Sequence, residues 1–378
     1  MEPEPGTADR WRRAALEFVR DHVAPVAGTI DRDDRVPDAL LAELASARFL
    51  ALGVPESWGG VGGDARTVAA VLEELSRGSA TIGVRVAVHL SVAMAPILAW
   101  GTESQKERFL RPLASGHRWG AFALTEPDVG SDAARLRTRY RREGDGFVLN
   151  GRKMFISNAG TGTFTLVFAT TDPSRGSKGI SAFVVPGESA GFSVASRLEK
   201  LGLRGSETTE IALQDVRVGP DALLGPEGQG LHVAFSALAG GRVGIASCAL
   251  GVAQAAFDEL RRNVADSDAD WKRSLLARAY AEVTAARALV DRAAARRDAG
   301  DPGVTAASVA KLVASQAAVR IASWGVDVAG AAGTRAGAPA ERLLRDARVF
   351  PIVEGTTEIQ ELILARELLA DADRPNPL

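Results

Sequence analysis

Cysteine is almost absent from the chain: Cys248 is the only one in 378 residues, so no intrachain disulfide can form. It lies in the apolar run Ile245-Ala246-Ser247-Cys248-Ala249-Leu250, where an inert buried thiol is expected rather than a nucleophile. Histidine is scarce too. His22, His89, His117 and His232 show no metal-ligand spacing, so no metal site is expected. Ser206 follows a glycine but lacks the nucleophile-elbow pattern of a serine hydrolase. Charge is nearly balanced at −2, which argues against nucleic acid or an anionic membrane surface as a partner. No apolar run reads as the roughly 18 residues needed to cross a bilayer. The start MEPEPGTADRW has no apolar signal core, so a cytoplasmic location is expected.

What is present is a large apolar share, 46%, with 24% charged residues, enough for more than one packed unit. Residues 1–118 have helical spacing, as in Leu40-Leu41-Ala42-Glu43-Leu44 and TVAAVLEEL (67–75). The turn ESWGGVGGD (56–64) is glycine-rich, but no strand leads into it, so it is no dinucleotide fingerprint. Residues 119–228 read as strands: GDGFVLNGRKMFISN (144–158), TFTLVFAT (163–170), GISAFVVP (179–186) and TEIALQDVRV (209–218). Asn150-Gly151 predicts a tight hairpin turn. Residues 229–378 return to alanine-rich helical text, and the tail DADRPNPL should be loose. Strands bracketed by helices give an α+β class, mostly α, and not a doubly wound sheet.

Five segments carry a resemblance: ESWGG (56–60), AFALTEPDVGSD (121–132), NGRKMFISN (150–158), GLRGSETTEI (202–211) and RLLRDARVFPIVEGTTEIQ (342–360). In this order and approximate spacing they resemble the acyl-CoA dehydrogenases over nearly the whole chain. The resemblance implies an N-terminal helical domain, a middle β-barrel-like domain and a C-terminal four-helix bundle. It also implies FAD as cofactor and α,β-dehydrogenation of an acyl thioester to the 2-enoyl product. That chemistry needs a base for the weakly acidic α-proton and a device to hold charge on the carbonyl oxygen. It also needs a cofactor to take the β-hydrogen as hydride, which no side chain can do.

Glu354, in Ile352-Val353-Glu354-Gly355-Thr356-Thr357, is the candidate base; apolar flanks should raise its pKa. Some relatives place the base immediately before an arginine on an earlier helix; here that position is Gly241, before Arg242. Thr357-Glu358-Ile359-Gln360 fits a capping box that opens the last helix. By resemblance Thr356, Thr357 and Glu358 contact the flavin nucleotide, Phe122, Leu124 and Thr125 line the ring, and Phe155 and Ser157 supply a stacking aromatic and a hydroxyl. Ser131 contacts both cofactor and pantetheine arm, and Gly355, Arg242 and Arg366 lie toward the substrate.

Three departures from the family pattern cluster together. Ala239 replaces an aspartate; the loop in RRNVADSDADWKRSLLARAY (261–280) is short and lacks Gln-Phe-Gly; Asp327-Val328-Ala329-Gly330-Ala331 replaces a Gln and Gly-Gly segment. All three bear on substrate carrier or on the adenosine half of FAD held across a subunit interface. The expected partners are an acyl-CoA, or an acyl carrier protein thioester as the alternative. A second copy in a homodimer or homotetramer and an electron-transfer flavoprotein are also expected. A flavin oxidase or monooxygenase, or a homologue without its cofactor, are the competing readings.

Overall fold

The computed structural model describes residues 7–160, 162–265, 267–301 and 303–370. The acidic first six residues and the tail from 371 lie outside the described residues. Helix α1 (Thr7–Phe18) packs on α2 (Ala65–Gly78). Asp64 caps α2 by accepting the Thr67 N–H at 2.8 Å. Helix α3 (Ala80–Ala87) continues through a wider turn, Val88–Met94, into Ala95–Trp100.

The middle segment forms one eight-stranded sheet. Its strands are β1 (Trp119–Ala123), β2 (Arg139–Glu143), β3 (Gly146–Ser157), β4 (Thr163–Thr170), β5 (Ile180–Pro186), β6 (Phe192–Arg197), β7 (Thr208–Val218) and β8 (Leu223–Leu224). The order is β6-β7-β3-β2-β4-β5-β8, with β1 parallel to β4. The end strands β6 and β8 are not paired with each other, so the sheet is open rather than a closed barrel.

Asn150-Gly151 is not a hairpin turn. The turn lies at Gly144-Asp145, with Glu143 opposite Gly146 and Gly144 at φ 62°. β3 runs through Asn150 with a register shift against β7, where the Asn150 amide donates to Asp215 Oδ1 at 3.0 Å and accepts from Asp215 N at 2.9 Å. The same local chemistry that favours a turn here builds a bulge inside a long strand.

The C-terminal part holds α4 (Gly230–Val264), α5 (Asp270–Asp298) and α6 (Val304–Ala329), three long helices packed on one another. Helices α7 (Pro339–Ala347) and α8 (Thr357–Ala370) dock on α6. Glycine lets α4 approach α2 closely: a Cβ at Gly251 would sit 2.1 Å from the Glu73 carbonyl oxygen. Three stretches, Ala80–Trp100, Gly230–Val264 and Val304–Thr334, are long and apolar enough to cross a membrane by length and composition. This corrects the expectation that no such run exists. Of their apolar windows 72%, 72% and 50% are buried inside the protein, so much of that apolar surface forms core.

Two of the five sequence segments meet as a clamp. The Leu203 N–H donates to the buried Asp346 carboxylate at 2.7 Å, and a Cβ at Gly202 would lie 2.3 Å from the Arg345 carbonyl oxygen. Burial pushes the Asp346 carboxyl up to about 6. Their sequence signal is therefore packing between the sheet and α7.

Candidate active site

Glu354 sits in the turn between α7 and α8 with φ 52°, a left-handed conformation uncommon outside glycine; Gly355 follows at φ 97°. Although the residue as a whole is half-buried, its Oε2 is buried with no hydrogen-bond partner. The carboxylate lies against Gly241 of α4: a Cβ there would be 2.0 Å from Oε2 and 3.0 Å from Val92 Cγ1. The glycine that leaves the earlier-helix position without a base thus also gives Glu354 its room. Burial pushes the Glu354 carboxyl up to about 7, against the pull of the Arg242 and Lys311 charges. Arg242 is 9% exposed, its Nε has no partner, and burial draws its pKa below the usual arginine value.

The opening of α8 differs from the predicted capping box. Thr356, not Thr357, is the cap: its hydroxyl accepts the Ile359 N–H at 3.3 Å and its carbonyl the Gln360 N–H at 3.0 Å. Thr357 is drawn away because its N–H donates to the Pro351 carbonyl at 2.8 Å. Gln360 is fully buried and donates to the Gly355 carbonyl at 3.0 Å, instead of reaching a cap N–H. The peptide N–H groups of Glu354 and Gly355 find no acceptor among the described residues. Glu358 is exposed in the first turn of α8.

A second group lies on the sheet. Leu124 is buried, Phe122 and Thr125 are half-buried, and Phe122 packs on Phe168 with ring centroids 5.0 Å apart. The Thr125 carbonyl accepts the Met154 N–H at 2.9 Å, tying the segment after β1 to β3. Phe155 is 62% exposed with φ 60°, thrown outward by the register shift between Lys153 and Ile156. Ser157 is half-buried, and neither its hydroxyl nor that of Thr125 has a partner among the described residues. An uncovered aromatic face on β3, with free hydroxyls on β3 and on the segment after β1, suits a flat polar ring such as a flavin.

One helical segment joins the two groups. His89, fully buried, accepts the Gly120 N–H of β1 at 3.0 Å, and a Cβ at Gly120 would be 2.4 Å from Ala93 Cβ. Val92 of the same segment meets Gly241. Val88–Met94 thus sets the spacing between the strand wall and the Glu354 wall. Burial lowers His89 to about 4, so it is a neutral strut.

Ser131 and Arg366 are not drawn into either group. Ser131 is exposed in the loop after β1, and Arg366 is exposed on α8, about 14 Å along the axis from Thr357 at the usual helical rise. Sequence reasoning missed three buried groups. Lys153 is fully buried and bonds Glu126 Oε1 at 2.8 Å and the Leu124 carbonyl at 3.1 Å. Lys311, also fully buried, donates to the Gly355 carbonyl at 2.7 Å. His89 is the third. A charged residue inside an apolar helical run, as in Ala310-Lys311-Leu312-Val313, was the available signal for Lys311. Among the described residues no group of His, Cys, Asp and Glu could hold a metal ion.

Models of three acyl-CoA dehydrogenase domains match in sequence: N-terminal over residues 6–117, middle over 121–216 and C-terminal over 228–369. The chain belongs to the acyl-CoA dehydrogenase family. It is 41% identical over 369 residues to an acyl-CoA dehydrogenase of Bacillus subtilis (strain 168), covering 95% of this chain and 97% of that one. It is 39% identical over 374 residues to the human mitochondrial short-chain specific acyl-CoA dehydrogenase, covering 97% and 90%. A chain from structural work on the electron transferring flavoprotein of Acidaminococcus fermentans superposes with a TM-score of 0.95 at 33% identity, covering 98% of this chain and 100% of that one. Family membership makes this a flavoprotein, with FAD as cofactor, that oxidises a CH–CH bond of acyl-CoA.

Proposed function

We propose that Glu354 is the base of this dehydrogenation and that the substrate is a short acyl-CoA. The observation that carries the reading is a buried carboxylate oxygen without a partner, pressed against a glycine, with its carboxyl near 7. A carboxylate in that state is poised to take a weakly acidic proton at physiological pH. The peptide N–H groups of Glu354 and Gly355 are free to receive the thioester oxygen as charge grows on it. Arg242, buried beside the base, holds the α4 wall positive. Phe155, Thr125, Ser157, Phe122 and Leu124 would hold the isoalloxazine, with Thr356, Thr357 and Glu358 toward the rest of the cofactor. FAD bound there supplies the acceptor for the β-hydrogen as hydride. Similarity to a short-chain specific relative supports the substrate length.

Three finer points belong to this reading. A second copy covers the exposed Trp271 (54%) and Tyr280 (63%) of α5 and Leu362 (61%) and Leu369 (77%) of α8. An electron transferring flavoprotein takes the electrons, in keeping with the setting of the structural neighbour. The missing Gln-Phe-Gly in the 261–280 segment and the exposed Asp327 leave the adenosine half of FAD held less firmly than the flavin half. The test is anaerobic bleaching of the flavin with butyryl-CoA against the matched carrier-protein thioester. Faster bleaching with the CoA thioester is expected. Preference for the carrier-protein thioester would replace the substrate, and no bleaching by either would remove the reading.

A further inference from the structure

Glu354 holds a backbone conformation that a residue with a Cβ adopts at a penalty of about 1 kcal/mol or more. Such a conformation persists only where its surroundings over-determine it. Two side chains close on the next carbonyl: Lys311 Nζ at 2.7 Å and Gln360 Nε2 at 3.0 Å both donate to Gly355 O. Both residues are fully buried. A neutral amide already donates to that carbonyl, so Lys311 adds to the hold on the turn, but hydrogen bonding alone does not require the second donor to be charged. Burying an ammonium costs several kcal/mol, and one bond to a neutral carbonyl does not offset that. No carboxylate lies within ion-pair distance of Lys311 among the described residues, in contrast to Lys153, which pairs with Glu126 at 2.8 Å. The uncompensated cation stands beside the uncompensated carboxylate oxygen of Glu354.

We propose that Lys311 is a positioning residue for the base: through the Gly355 carbonyl it fixes the left-handed turn that aims Glu354 at Gly241, and its charge holds that carboxylate ionised. The inference rests on Glu354 being the base. The charged and titratable groups around Glu354 are Arg242 and the thiol Cys248 from α4, Lys311 from α6 and Glu358 from α8; the Val88–Met94 segment contributes apolar Val92. Burial draws Lys311 down to about 8, above the value for Glu354, so it is mostly a cation at the Glu354 midpoint near 7. Two cations facing one buried carboxylate explain why it stays near 7 instead of rising further.

The test uses the FAD-loaded protein and reads Glu354 directly. Difference infrared spectroscopy follows its carboxyl C=O band, assigned by its loss in Glu354→Gln, across a pH titration. Lys311→Met should raise the midpoint by about one pH unit or more. The pH limb of flavin reduction by butyryl-CoA should move with it, so that the rate at pH 6 falls about tenfold. Gln360→Leu, which removes the neutral donor to the same carbonyl, should leave the midpoint in place. If Lys311→Met does not fold, Lys311→Gln, which keeps a donor and loses the charge, gives the same readout. An unmoved midpoint in the neutral variant, or an equal shift in Gln360→Leu, would overturn the proposal and leave Lys311 a plain structural anchor. Absence of flavin reduction in the unmodified protein, or normal reduction in Glu354→Gln, would instead strike the assignment of the base; the infrared midpoint still decides whether Lys311 sets the charge of Glu354.

Discussion

Lys153 and Lys311 are both fully buried and both drawn down to about 8 by burial, yet they sit in opposite kinds of environment. Lys153 closes an ion pair with Glu126, whose carboxylate also accepts the Arg137 N–H at 2.6 Å and the Thr138 N–H at 2.8 Å. Burial opposes ionisation of Glu126, but the lysine charge and these hydrogen bonds outweigh it and hold the carboxyl below its usual range. Beside Lys311, the Glu354 Oε2 is left with no hydrogen bond and its carboxyl is pushed up. The first carboxylate is fully satisfied and has nothing left to offer. The second is held in reserve, as its proposed role of accepting a proton from substrate requires.

Substitution should separate the two carboxylates cleanly. Glu354→Gln keeps shape and removes the proposed base; single-turnover flavin reduction should slow by about 10³-fold with the flavin spectrum and thermal midpoint nearly unchanged. Near-normal reduction would erase the contrast. Lys153→Met should leave Glu126 buried without its cation and destabilise the FAD-loaded protein by about 3–5 kcal/mol in denaturant unfolding. An unchanged midpoint would show that the closed pair is dispensable. Gly241→Ala brings a methyl to 2.0 Å from Oε2, so the carboxylate must move. Flavin reduction should fall by about tenfold or more, given how steeply such steps depend on alignment.

Acidity sharpens the comparison further. With Glu354 near 7, its proton-accepting form grows as pH rises through 7, so the reduction rate should climb there and level above it. A limb near 4 would mean an ordinary solvated acid. The smallest effect expected is at the helix cap: Thr356→Ala should lower stability by about 1 kcal/mol in thermal unfolding, and Thr357→Ala by less.

The sequence made the helix-strand-helix succession legible because the spacing of apolar residues changes period at each junction. It made Glu354 legible because the residue lies inside a long contiguous motif. Lys311 escaped because its partner carbonyl is 44 positions later in the chain and only tertiary packing brings them together. Asn150-Gly151 misled because only Gly151 takes a positive φ, 151°, and does so within the strand, where pairing with β7 decides the conformation. The cap shifted by one residue because Thr357 is claimed by Pro351, a contact no local rule encodes. The bilayer-length runs passed unseen because glycine, alanine and serine dilute them to the eye while leaving each stretch apolar on average.

The close seating of Glu354 Oε2 on Gly241, 2.0 Å from where a Cβ would stand, has a consequence for changing this enzyme. Two positions for the proposed proton acceptor, one on α4 and one in the turn before α8, compete for the same space, and only one can be occupied at a time. Moving the acceptor to α4 requires Gly241→Glu together with Glu354→Gly, because either change alone leaves a collision or an empty seat. Directed evolution by single steps should therefore stall between the two arrangements, while a library that varies both positions jointly should cross.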